Sequence, residues 1–160
     1  MLEPIRSGAS PASFWIRVAA ALVDLMLLGL VQFSLGLVGG RIWGHDADAL
    51  PAFQTMIGLF TLLFSCLYTT VLHSVTGQTI GKLVVGVRVI GVEGELLTAG
   101  AALLRWIGYF ASLGTLGVGF VMAGLRRDKR GLHDLIAGSR VERERRPAPV
   151  TGVDEPSAVA

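Results

Sequence analysis

Three long apolar stretches, at roughly 14–39, 53–75 and 101–125, constrain this chain more than any other feature. Each comes near the ~20 residues that a helix needs to cross the hydrocarbon layer of a bilayer. A hydrophobic fraction of 52% and a mean hydropathy of +0.61 argue against a soluble domain, and most of the charged residues fall outside the stretches. The expected class is therefore an all-α integral membrane protein. Two or three transmembrane helices are expected, with a glycine-broken third segment and a short cytoplasmic β element. The first stretch is longer than the ~7–15 residues of a signal-peptide core and ends in no small-residue cleavage site, so it reads as retained.

Within the first stretch lies Asp24, ten residues after Phe14. At about 1.5 Å per residue that depth is roughly 15 Å, close to the bilayer centre. An unpaired carboxylate there costs at least ~2.5–3.5 kcal/mol, so a partner is required, and an acid at such depth is a functional candidate by default. The candidate partners are Arg105 and a polar stripe on the second segment. That stripe, Ser65, Thr69, His73 and Thr76, shares one helix face and should turn toward protein. Arg17 shares a face with Asp24, because seven residues make about 700° of rotation. Helical side chains lean toward the N-terminus, which draws Arg17 away from Asp24 and disfavours a direct pair. Arg17 then reads either as an interfacial anchor or as part of a wider polar site.

The net charge is +2, and the basic residues are unevenly placed. Arg126, Arg127, Lys129, Arg130, Arg140, Arg143, Arg145 and Arg146 crowd the region after the last apolar stretch. Beside a membrane segment such a run marks a cytoplasmic flank rather than a nucleic-acid surface. Lone Cys66 permits no intrachain disulfide.

Punctuation along the chain divides it further. Residues 1–12 read as an interfacial lead-in, with Ser10-Pro11 or Ser13 as a helix cap. Gly36 and Gly40 have a GxxxG spacing that hints at close helix packing. The loop at 40–52 carries Arg41, His45, Asp46 and Asp48 and should face outward. A second helix should begin near Pro51. From Leu83 to Val92 the density of valine and the following Glu93-Gly94-Glu95 turn predict a strand. Thr98 is positioned to cap a third helical segment over about 98–125, and Gly114, Gly117 and Gly119 predict a bend within it. Gly131–Val141 reads as a short helix followed by an extended piece. Charge and proline in 143–160 predict a disordered tail, leaving 13–142 as the membrane domain.

Topology presents a conflict. Lys82, Arg88 and Arg105 precede the third segment and the basic cluster follows it, so both ends favour the cytoplasm. Two half-helices forming a re-entrant hairpin satisfy both ends, provided protein or water shields the tip. Three full spans are the simpler count. The charge pattern favours the hairpin.

Catalytic and cofactor chemistry find little support. His45, His73 and His133 lie in different regions without ligand spacing, so no metal site is expected. Gly77–Lys82 is one residue short of a phosphate-binding loop and is followed by Leu83. His133 and Asp134 are adjacent, hence about 100° apart on a helix, and need not act together. No nucleophile–base pair stands out, and neither an enzyme nor a cofactor is expected.

Four motifs nevertheless occur in a telling order: FWIRVAAALVDLML, GQTIGKLVVGVRVI, LLRWIGY and RGLHDLIAGSRV. Together they resemble the RDD family of small bacterial membrane proteins over about residues 13–142. That family is named for one arginine and two aspartates, matched here by Arg17, Asp24 and Asp134. The resemblance implies a location in the bacterial inner membrane; the family is mostly uncharacterised, and a transport role, including proton-coupled cation exchange, is suggested for some of its members. A membrane-embedded acid suits such a mechanism, because a carboxyl in a low dielectric can load and release a proton near neutral pH. On this reading Asp24 is the titratable centre, which Arg17 would hold or tune. Asp134 sits at a cytoplasmic mouth and pairs with Lys82, Arg88 or Arg105, near His133. So small a bundle encloses little pathway, so a homo-oligomer or a larger membrane complex is the expected state. The rival expectation is a non-transporting scaffold or accessory subunit, with Arg17, Asp24 and Asp134 as a polar clamp.

Overall fold

The computed structural model describes residues 10–44 and 50–144. Helix α1 spans Phe14–Trp43 and α2 spans Pro51–Val75; α3 (Ile80–Val85) and strand β1 (Val87–Gly91) follow. Next come α4 (Ala99–Gly114), α5 (Val118–Leu125), α6 (Leu132–Ile136) and β2 (Ser139–Arg143). The lead-in at 1–9, the acidic loop residues His45, Asp46 and Asp48, and the tail from residue 145 lie outside the described residues.

Two helices, α1 and α2, are long and apolar enough to cross a membrane, with hydropathies of 2.1 and 1.8. They bury few side chains and turn Leu25, Met26, Phe33 and Leu63 outward, as a lipid-facing helix does and a soluble one does not. The first helix outruns its expected end, because Ile42 and Trp43 prolong the apolar run. Gly39 makes a close approach, since a Cβ there would overlap the Phe53 ring of α2, whereas Gly40 has open space around its Cβ position.

The strand is shorter than expected. Thr79 caps a helical turn whose first backbone N–H groups would otherwise be unpartnered, its hydroxyl accepting from Lys82 N. That turn, α3, takes up Leu83–Val85, so β1 begins at Val87. Thr98 caps α4 as its position predicts, accepting from Ala101 N at 3.2 Å. Ser13 occupies the N-cap position of α1 without a side-chain cap bond. The glycine break between α4 and α5 is a bend of 101°. Gly117 stands at the start of α5 with φ +81, a left-handed conformation that costs glycine little and other residues more.

One small sheet gathers the chain. Strands β1 and β2 pair antiparallel, with Val89 opposite Val141 and Gly91 opposite Ser139. The residues before α1 run along the other side of β2: Ala12 N donates to Val141 O, and Arg143 N donates to Ser10 O, each at 3.0 Å. The turn after α2 joins as well, since Val89 N donates to Gly77 O at 2.7 Å. Ala12, Val87, Val89, Leu97, Ala102 and Val141 form the apolar core at this end. Arg143, expected within the tail, instead closes β2.

Candidate functional site

Asp24 meets the first turn of α3. Its Oδ1 accepts from the Tyr68 hydroxyl and from Gly81 N, both at 2.8 Å, and its Oδ2 accepts from the Thr79 hydroxyl at 2.6 Å. Tyr68 in turn accepts from Ile80 N at 2.9 Å. The carboxylate thus sits where a helix start offers free N–H groups and a partial positive charge. Close approach makes this possible, because a Cβ on Gly81 would lie 2.1 Å from the Ala20 carbonyl oxygen of α1. The partners differ from those expected. Neither Arg105 nor the Ser65–Thr76 stripe holds Asp24; Arg17, as expected, makes no direct pair with it, and its hydrogen bonds come from neutral donors. Of the stripe, Thr69 and His73 are buried against protein as expected, while Thr76 is exposed.

Arg17 instead reaches the other carboxylate. Asp134 is fully buried at the start of α6, where it accepts from Gly131 N at 3.0 Å. Its Oδ2 takes Arg17 Nη1 at 2.6 Å, and its Oδ1 is ion-paired to Arg105 Nη1. Arg105 also donates to Ser139 Oγ at 2.6 Å and to the Tyr109 hydroxyl at 3.3 Å. This cluster joins α1, α4, α6 and β2. Of the partners expected for Asp134, Arg105 is present, whereas Arg88 pairs with Glu144 and Lys82 stands with Thr79. The Asp134 side chain has no exposed surface, and two guanidiniums flank it inside the fold. Burial alone would push the Asp134 carboxyl up, but Arg105, followed by His133 and Arg17, outweighs it and holds it well below the usual carboxylate range.

His133 packs between the rings of Tyr109 and Phe120, with centroids at 4.8 and 5.2 Å, and its Nδ1 lies 3.3 Å from Ser112 Oγ. Burial, and after it the charge of Arg105, lowers its imidazole to about 3. His73 is fully buried on α2, and neither ring nitrogen has a hydrogen-bond partner among the described residues. Burial likewise lowers the Lys82 ammonium.

Both polar clusters border one cavity of about 530 Å³, lined by Asp24, Lys82, Tyr68, Arg17, Arg105 and His133 together with apolar side chains. Sequence reasoning missed Tyr68, Thr79, Tyr109, Ser112 and Ser139. The hydroxyl of Thr79, at a helix start inside GQTIGK, was the legible signal; the others are ordinary residues that acquire roles by folding. No group of three or more His, Cys, Asp or Glu side chains among the described residues is arranged to hold a metal ion.

Fold and site together describe a small membrane protein whose apolar helices enclose a charged interior. The RDD family model matches residues 11–138, most of the chain, and the protein belongs to that family. Two relatives in Bacillus subtilis (strain 168) bear the description of uncharacterized proteins. YckC is 36% identical over 137 residues, covering 82% of this chain and 83% of its own length. YxaI is 29% identical over 146 residues, covering 82% and 96%. No solved structure matches the chain.

Proposed function

We propose that this protein acts in solute or ion transport across the bacterial inner membrane, with Asp24 as its exchangeable acid and Asp134 as a structural centre. The observation that carries this reading is that Asp24 lines a cavity while its direct hydrogen bonds come from neutral donors. A proton or small cation joining such a carboxylate breaks no direct ion pair, because hydroxyls can turn a lone pair toward it. Protonating Asp134 would instead leave two guanidiniums uncompensated. Proton-coupled cation exchange fits this division, with a homo-oligomer or a larger complex completing the pathway. No catalytic step is assigned.

The membrane arrangement we favour has two spans and a re-entrant α4–α5 hairpin. Strand β1 precedes the bent pair and β2 follows it, yet the two strands are hydrogen-bonded to each other. A segment that returns to the sheet it left ends on the side where it began. The basic residues at that end support a cytoplasmic side for it.

A second reading, the non-transporting scaffold, draws on the same bonds, since each carboxylate ties separate elements together. Asp24→Asn in liposomes decides between them. On the transport reading the variant inserts and assembles as wild type does, while proton-coupled flux is lost. Unchanged flux, or wild type without flux in any oligomeric state, defeats it. Loss of assembly, worse with Asp24→Leu, speaks for the scaffold.

A further inference from the structure

The cavity beside Asp24 is richer in positive charge than in negative. Arg17, Lys82 and Arg105 line it, against Asp24 in the wall and Asp134 behind the two guanidiniums. Unused donors show where the excess resides. Arg105 donates to Asp134, Ser139 and Tyr109. Arg17 gives Nη1 to Asp134, but its Nε and Nη2 are buried with no hydrogen-bond partner among the described residues. Those two atoms form one edge of the guanidinium, the fork that matches two oxygens of a carboxylate. Lys82 offers three N–H donors and, among the described residues, its ammonium makes one hydrogen bond, to Thr79 Oγ1 at 3.4 Å. Cations left this short of acceptors favour a ligand that supplies oxygen.

The rest of the wall is apolar, including Phe14, Val18, Leu22, Leu25, Leu28 and Phe110. Leu22, Leu25 and Phe110 are also about half exposed or more, so this end of the cavity reaches the lipid-facing surface. A volume of about 530 Å³ falls among ordinary small-ligand sites. That suits a single chain rather than a whole two-chain lipid.

We infer that the cavity binds a single-chain anionic amphiphile, an acyl-chain carboxylate. Its headgroup meets Lys82, with the unpaired edge of Arg17 as the second donor, and its chain runs past Val18, Leu22 and Phe110 toward the lipid. This rests on the charge and walls of the cavity and not on flux, so it stands or falls separately from the transport reading.

Native mass spectrometry of the full chain in detergent, with hexadecanoate, hexadecan-1-ol and hexadecyltrimethylammonium as probes, tests it. Hexadecanoate is expected to bind saturably, and the alcohol and the ammonium about tenfold more weakly or worse. Lys82→Met should cost hexadecanoate about tenfold, while Lys82→Arg retains it. Equal binding of the alcohol overturns the inference, because the groove then takes any chain. Preference for the ammonium also overturns it and makes Asp24 the headgroup site. If Lys82→Met fails to accumulate, the headgroup series on wild type decides alone.

Discussion

Asp24 is half-buried and meets two hydroxyls and a backbone N–H, whereas Asp134 is fully buried and meets two guanidiniums. Residue type is the same in both places; the partners are what differ. His133 beside them supplies a prediction with a definite sign. Its imidazole is lowered from 6.5 to about 3 in the folded protein, so the unfolded chain binds the proton first as pH falls. The contribution is whole above about 6.5 and is lost on the way down to about 3, by at most ~1.4 kcal/mol per pH unit. Asp134 adds a loss of the same sign that begins as pH falls toward its ordinary value of 3.8 and continues below it. Thermal unfolding in detergent between pH 7 and 4 should therefore show stability falling with pH, and His133→Gln should flatten the slope. Parallel wild-type and variant profiles would remove His133 from that account.

Elements α1, α4 and α6 converge on Asp134 because each brings one piece: Arg17, Arg105 and the carboxylate itself. Such a pair contributes little net free energy relative to a well-packed apolar core, but breaking it exposes the full desolvation cost of what is left. Asp134→Ala is expected to destabilise the fold by about 3–5 kcal/mol, read as a lower unfolding midpoint in detergent. A midpoint equal to that of wild type would mean that packing, not the clamp, holds α6 against α4. The short α3 depends on a different device. Gly81 lets it touch the α1 backbone, and Thr79 serves both as its cap and as a donor to Asp24.

At the scale of the molecule, the two-stranded sheet acts as the point to which the start of α1, the end of α2 and both flanks of the bent α4–α5 pair return. Labelling single cysteines at Val92→Cys and Arg127→Cys, in a background lacking Cys66, tests the proposed topology in membranes. Both positions are expected to react from the cytoplasmic side. Reaction from opposite sides would establish a complete third crossing and rule out the hairpin.

Much of this was legible in the chain itself, because hydropathy and helix punctuation are local. The membrane class, α2 beginning at Pro51, the strand before Glu93, the Thr98 cap and the bend at the glycines all follow from neighbouring residues. So does the need of Asp24 for a partner, which follows from the cost of carrying charge into hydrocarbon. Which partner it takes does not. Arg17 and Asp134 are 117 positions apart, and the partners of Asp24, Tyr68 on α2 and Thr79 and Gly81 at the start of α3, lie 44 to 57 positions from it. Spacing on one helix shows which face a side chain occupies, but a partner on another element is chosen by how helices approach each other. That approach was decided here by contacts such as Gly81 against Ala20, and so only the tertiary structure separates the acid held by neutral donors from the acid locked between two arginines.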